Sequence, residues 1–114
     1  MQPKVEDRLL DILEVGESIQ NLTAGLSFDE YRREEIRRLA VERQLITVGE
    51  ALNVALQLDP ALRNQITEAR EIIAFRNILV HNYSSIRHDK VWTAITIELP
   101  LLLAEVRALL PPAP

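Results

Sequence analysis

Ala69-Arg70-Glu71-Ile72-Ile73-Ala74-Phe75-Arg76-Asn77-Ile78-Leu79-Val80-His81-Asn82-Tyr83 is the stretch on which the fold of this chain turns. Its apolar residues recur at intervals of three and four and nowhere alternate as a strand would, so the spacing predicts a helix from about Thr67 to His81. Glu68 and Glu71 fall in its first turn, where the helix dipole favours acids. Polar residues are few after that point. A helix apolar on nearly every side must be covered on nearly every side, and three companions in a small bundle leave one flank open. A second copy of the chain is the simplest cover.

Outward from this segment the same periodicity persists. A first helix over about residues 4 to 24 carries the stripe Val5, Leu9, Ile12, Leu13, Gly16 and Ile19, with Gly25 as its stop. Ser27 followed by Glu30 has capping-box spacing and leads through a short turn into a second long helix. There Leu45, Val48, Gly49, Leu52, Ala55 and Leu56 line one face, and Asp59-Pro60 closes it, because the residue before proline is pushed out of the helical region. After a loop over Tyr83 to His88, a last helix capped by Asp89 carries Val91, Trp92, Ile95, Leu99, Leu102, Val106 and Leu109, with a kink expected at Pro100. The expectation is an all-α, up-and-down four-helix bundle that pairs as a two-fold homodimer. Residues 1 to 110 form one domain, and the proline-rich tail of 111 to 114 lies outside its helices.

Composition narrows the function. With 114 residues, 47% of them apolar, the chain suits one compact core. It has no Cys, which excludes disulfide scaffolds and cysteine-ligated metal centres. Met1 to Asp7 lacks the basic and apolar regions of an export signal, and no stretch has the roughly 20 apolar residues of a membrane span, so a cytoplasmic location without membrane contact is expected. The net charge of −4 argues against indiscriminate coating of nucleic acid. It leaves room for a locally basic site. Arg32 to Arg43 is the basic stretch, open to two readings: an RNA guide, or a solvated helix face of intrahelical ion pairs. His88 is given no role.

Arg76 lies within the apolar stripe of Ala69, Ile72, Ile73, Leu79 and Val80, and a guanidinium there needs a carboxylate, a phosphate or carbonyls. An ion pair with Glu50 or another buried acid would satisfy it as a clasp within the bundle, with no catalytic meaning. His81 could likewise be a helix-end histidine bound to a carbonyl, and Tyr83 a boundary aromatic. Taken together the three residues spell more. Arg, four residues, His, one residue, Tyr, filled here by Arg76, His81 and Tyr83 with the polar Asn77 after the arginine, resembles the signature of the HEPN superfamily and its HepT-like toxins. The likeness extends through Val48-Gly49-Glu50-Ala51 and Asp89-Lys90-Val91-Trp92.

The resemblance implies a metal-independent endoribonuclease needing no cofactor, the toxin of a toxin–antitoxin pair whose partner is a minimal nucleotidyltransferase. In such chemistry an imidazole, with an ordinary pKa of about 6.5, takes a proton from a ribose 2′-hydroxyl. The freed oxygen then attacks the adjacent phosphorus and leaves a 2′,3′-cyclic phosphate and a 5′-hydroxyl. His81 would be that base, and Arg76 would stabilise charge on the phosphoryl oxygens. Asn77 would orient His81 or a phosphate oxygen, with Glu50 as possible support. Tyr83 would position the scissile phosphate and be the residue the nucleotidyltransferase adenylylates, blocking the site with bulk and negative charge. Arg76 and His81 are five residues apart, about 140° around a regular helix, so one helix does not aim both at one spot. Two copies pooling their motifs at a two-fold axis would. A helical dimer that only binds or regulates a nucleotidyltransferase keeps the fold without the chemistry. A small-molecule-binding bundle is disfavoured by the scarcity of aromatic residues.

Overall fold

The computed structural model describes residues 1–112, and of Tyr83 the backbone alone. Ala113 and Pro114 of the expected proline-rich tail lie outside the described residues. The described chain is all-helical, without strands. Helix α1 (Pro3–Thr23) ends at Gly25, which adopts φ of +75°, the left-handed geometry that glycine reaches without steric cost. The short α2 (Phe28–Arg33) opens on the Ser27/Glu30 capping box, both of its hydrogen bonds formed. Helix α3 (Glu35–Leu58) stops at Asp59, and Pro60–Asn64 turns as a 3-10 helix.

Helix α4 (Ala69–His81) starts two residues later than its spacing predicts. Just before that start the Glu105 carboxylate accepts hydrogen bonds from the Thr67 backbone N–H at 3.1 Å and the Thr67 hydroxyl at 2.7 Å. After a 3-10 turn at Tyr83–Ser85, α5 (His88–Thr93), a π-helical turn at Ala94–Glu98 and α6 (Leu99–Leu109) run on as one rod. Arg87, not Asp89, stands at its N-cap, without a side-chain cap; Asp89 lies inside the first turn, bound by Arg87 at 2.8 and 3.2 Å. Pro100 sits in the first turn of α6, just after the π turn, where its missing N–H and its ring are accommodated.

Five rods result among the described residues, and the short α2 is the one the apolar pattern did not count as a rod of its own. The core is built by α1, α3 and the last rod, through fully buried Leu9, Ile12, Ile19, Leu52, Leu102 and Leu103. Helix α4 lies along the outside of α3. It buries only Ala69 and Leu79, while Ile72, Ile73 and Phe75 are half-covered and Ile78 and Val80 stand 38% and 40% exposed. One side of α4 is thus seated and another open. Among the described residues no helix is long and apolar enough to cross a membrane.

Candidate active site

Where α4 meets α3, the backbones approach so closely that a Cβ built on Gly49 would stand 2.5 Å from the Arg76 Cβ and 2.8 Å from its Cγ. Real Cβ contacts do not come that near, so only glycine lets the Arg76 stem lie flat on α3. A glycine inside a helix costs about 1 kcal/mol against alanine, and here the close approach is what that cost secures. The next residue, Glu50, accepts a hydrogen bond from Arg76 Nη2 at 3.2 Å, and Arg76 Nη1 donates to the Asn77 side-chain oxygen at 2.8 Å. Both terminal nitrogens of the fork are thereby oriented. Arg76 Nε is buried without a hydrogen-bond partner among the described residues.

Of the partners open to Arg76, Glu50 is the one that pairs with it, and it is half exposed rather than buried, so solvent screens the pair. A phosphate oxygen arriving from solvent can compete for the same nitrogen. Beneath the Arg76 stem lies a cavity of about 20 Å³, room for roughly one water, walled by Leu45, Val48, Ile72, Phe75 and Leu99. Those apolar walls keep the guanidinium in partly dry surroundings, where its charge acts more strongly. Glu98 borders the same cavity from the π turn; burial, then Glu68 and Glu71, push its carboxyl above the usual range, with Lys90 opposing.

Asn77 and His81 are both exposed on α4, with His81 its last residue. Arg76 and Asn77 are brought together. His81 makes no hydrogen bond to either among the described residues, as its angular offset on one helix foretold. The backbone of Tyr83 opens the 3-10 turn two residues on, and its side chain lies outside what the structure describes. Beside this end of α4 runs a groove of about 470 Å³ between Ile78 and Phe75 on one wall and Arg87, Lys90 and Thr93 on the other. Among the described residues no three His, Asp or Glu side chains converge to hold a metal ion.

The arginines of the basic stretch are mostly engaged by neighbours within the chain, Arg32 and Arg33 while remaining exposed. Arg32 and Arg33 both bind Asp29, at 2.6 and 2.7 Å; Arg37 binds Glu34 and the Leu22 carbonyl; Arg43 reaches Thr47. The face of intrahelical pairs is the reading these contacts support. Arg38 departs from it by reaching His88, fifty residues away, a pairing that nothing in the sequence signalled. Gly49 could have been found, since an unpaid glycine in mid-helix marks a close approach.

The helical domain thus holds Arg76 against a neighbouring helix, with Asn77 beside it and His81 at the end of α4. Comparison with known proteins carries this further, since residues 12–109 match the family described as Ribonuclease HepT-like. The chain belongs to that family. It is 28% identical over 100 residues to a Methanocaldococcus jannaschii protein described as "Putative RNase MJ1380", covering 86% of this chain and 89% of that one. A second protein of the same organism, "Putative RNase MJ0127", is 27% identical over 112 residues, covering 95% of this chain and 90% of the relative. "Putative RNase TTE0752" of Caldanaerobacter subterraneus subsp. tengcongensis is 27% identical over 101 residues, 87% of this chain and 88% of its own. No solved structure gives a significant match.

Proposed function

We propose that this protein is a cytoplasmic, metal-independent endoribonuclease, the toxin of a toxin–antitoxin pair, restrained by a cognate nucleotidyltransferase that adenylylates Tyr83. The observation that carries the reading is the seating of Arg76: a guanidinium at the rim of an apolar cleft, held by Glu50 and Asn77 on the helix that ends in His81. In the proposed step His81 accepts the 2′-hydroxyl proton of the ribose. The resulting oxyanion bonds to phosphorus as the P–O5′ bond breaks, closing a 2′,3′-cyclic phosphate, and the departing 5′-oxygen takes a proton from water to leave as the 5′-hydroxyl. Arg76 exchanges its Glu50 contact for a phosphoryl oxygen, and Asn77 keeps the other end of the fork in place.

The 140° between Arg76 and His81 calls for a second protomer. The open side of α4, with Ile78 and Val80, is the surface on which two copies would meet. The bordering groove is basic at Arg87 and Lys90 and acidic at Glu71 and Glu98, so an antiparallel pairing would set unlike charges opposite each other. The competing reading, a dimer that only binds a nucleotidyltransferase, draws on one fact: Arg76 already has a protein partner in Glu50.

Cleavage of RNA by purified protein in chelator, with the wild type beside Arg76→Ala and His81→Ala, tests the proposal. Cleavage by the wild type with cyclic-phosphate ends, and loss of at least about 100-fold in each variant, is expected. Full activity in both variants, or none in any of the three, refutes it. A mass increase of one AMP on Tyr83 after co-expression with the nucleotidyltransferase tests the regulatory half.

A further inference from the structure

Away from α4, four polar side chains from three elements meet where the α2–α3 corner touches the start of the last rod. Arg38 Nη1 of α3 lies 3.1 Å from His88 Nε2 in the first turn of α5. Arg38 Nε and His88 Nδ1 are buried with no hydrogen-bond partner among the described residues, and so is the hydroxyl of Tyr31, a residue 0% exposed on α2. Glu42, one turn beyond Arg38, is 5% exposed. The Tyr31 ring stacks at 5.2 Å on Trp92, one turn after His88 and the sole tryptophan of the chain.

A guanidinium has only donors, so the atom it meets must offer a lone pair. His88 is therefore neutral in this arrangement, with its proton on Nδ1. Adding a second proton removes the acceptor and sets two cations 3.1 Å apart. Besides burial, Arg38 from α3 and Arg32 from α2 oppose protonation of the ring, and Asp89 on its own helix, held by Arg87, opposes them in turn. Glu42 lies behind Arg38 and Tyr31, where burial pushes its carboxyl up and Arg38 pulls it back.

We propose that the Arg38–His88 contact is a proton-operated clasp, in which neutral His88 ties the first turn of α5 to α3 and protonated His88 releases it. The clasp holds the far end of residues 82–87, the segment that follows His81, so its release loosens the join between α4 and the last rod. Burial, Arg38 and Arg32 hold His88 below its ordinary value, so the unfolded chain takes up the proton first. The stability the clasp contributes is complete above about pH 6.5 and declines as pH falls through that value toward the folded one.

Full-length protein titrated from pH 8 to 5 tests this, with Trp92 fluorescence and the ring signals of the two histidines followed together. His81→Gln assigns the signals. The expected result is a His88 midpoint below 6.5 with a Trp92 emission change at the same pH. The change persists in His81→Gln and is absent in His88→Gln, whose amide oxygen accepts from Arg38 without titrating. A Trp92 transition that survives in His88→Gln belongs to Glu42 and overturns the proposal, as does a His88 midpoint at or above 6.5. If His88→Gln does not fold, Arg38→Gln decides: its His88 midpoint must rise, and an unchanged midpoint overturns the clasp. None of these outcomes depends on RNA being the substrate.

Discussion

Replacing Gly49 by alanine separates the role of the α3–α4 contact in folding from its role in the site. The new methyl would begin 2.5 Å from the Arg76 Cβ, an atom fixed to the α4 backbone that no rotamer change can move. Reaching ordinary contact at 3.4 Å takes a shift of roughly 1 Å between the helices or a local distortion of α4. Overpacking of this kind costs about 1–3 kcal/mol, and alanine returns about 1 kcal/mol of helix propensity. The net loss is therefore about 0–2 kcal/mol, a fall in Tm of up to about 10 °C. Activity should suffer more, because displacing a catalytic group by about 1 Å can cost on the order of 100-fold. Gly16→Ala supplies the comparison: its methyl meets Leu103 Cδ2 at 2.5 Å in the core between α1 and α6 and touches no atom of α4. Thermal melts and RNA cleavage rates on both variants give the assay. Both should lose stability, and only Gly49→Ala should lose cleavage out of proportion to its fraction unfolded. A folded Gly49→Ala protein cleaving at the wild-type rate would refute the view that the flush packing of α4 sets the position of the guanidinium.

Two further outcomes follow from the same structure. Ile78→Asp and Val80→Asp, on the open side of α4, should leave the monomer folded and shift sedimentation from dimer to monomer with loss of cleavage; a dimer that survives both charges locates the interface elsewhere. Tyr31→Phe removes a hydroxyl that is buried without a described partner, so the variant should gain up to about 1 kcal/mol, and a clear fall in Tm would show that the hydroxyl is satisfied.

Local signals were legible wherever a residue's neighbours in sequence decide its fate. The capping box at Ser27 and Glu30, the glycine stop at Gly25 and the proline stop at Asp59-Pro60 act over three or four residues, and each stands where its spacing put it. The placement of Arg76 within the apolar stripe of α4 followed from 3.6-residue periodicity alone, whereas its pairing with Glu50 joins two helices and was only one of the partners the sequence left open. What escaped reading was set by contacts distant in sequence. Glu105 binds Thr67 just before α4, a π turn precedes Pro100, and Arg38 crosses to His88.

The amino-acid sequence by itself determined that the chain is helical, where most rods begin and end, and which helix carries the arginine, asparagine and histidine, because helix periodicity and capping are short-range physics. Only the tertiary structure decided that Gly49 brings α4 flush against α3 and that both ends of the Arg76 fork are held. Those facts depend on how two backbones approach in space, which no spacing along one chain encodes.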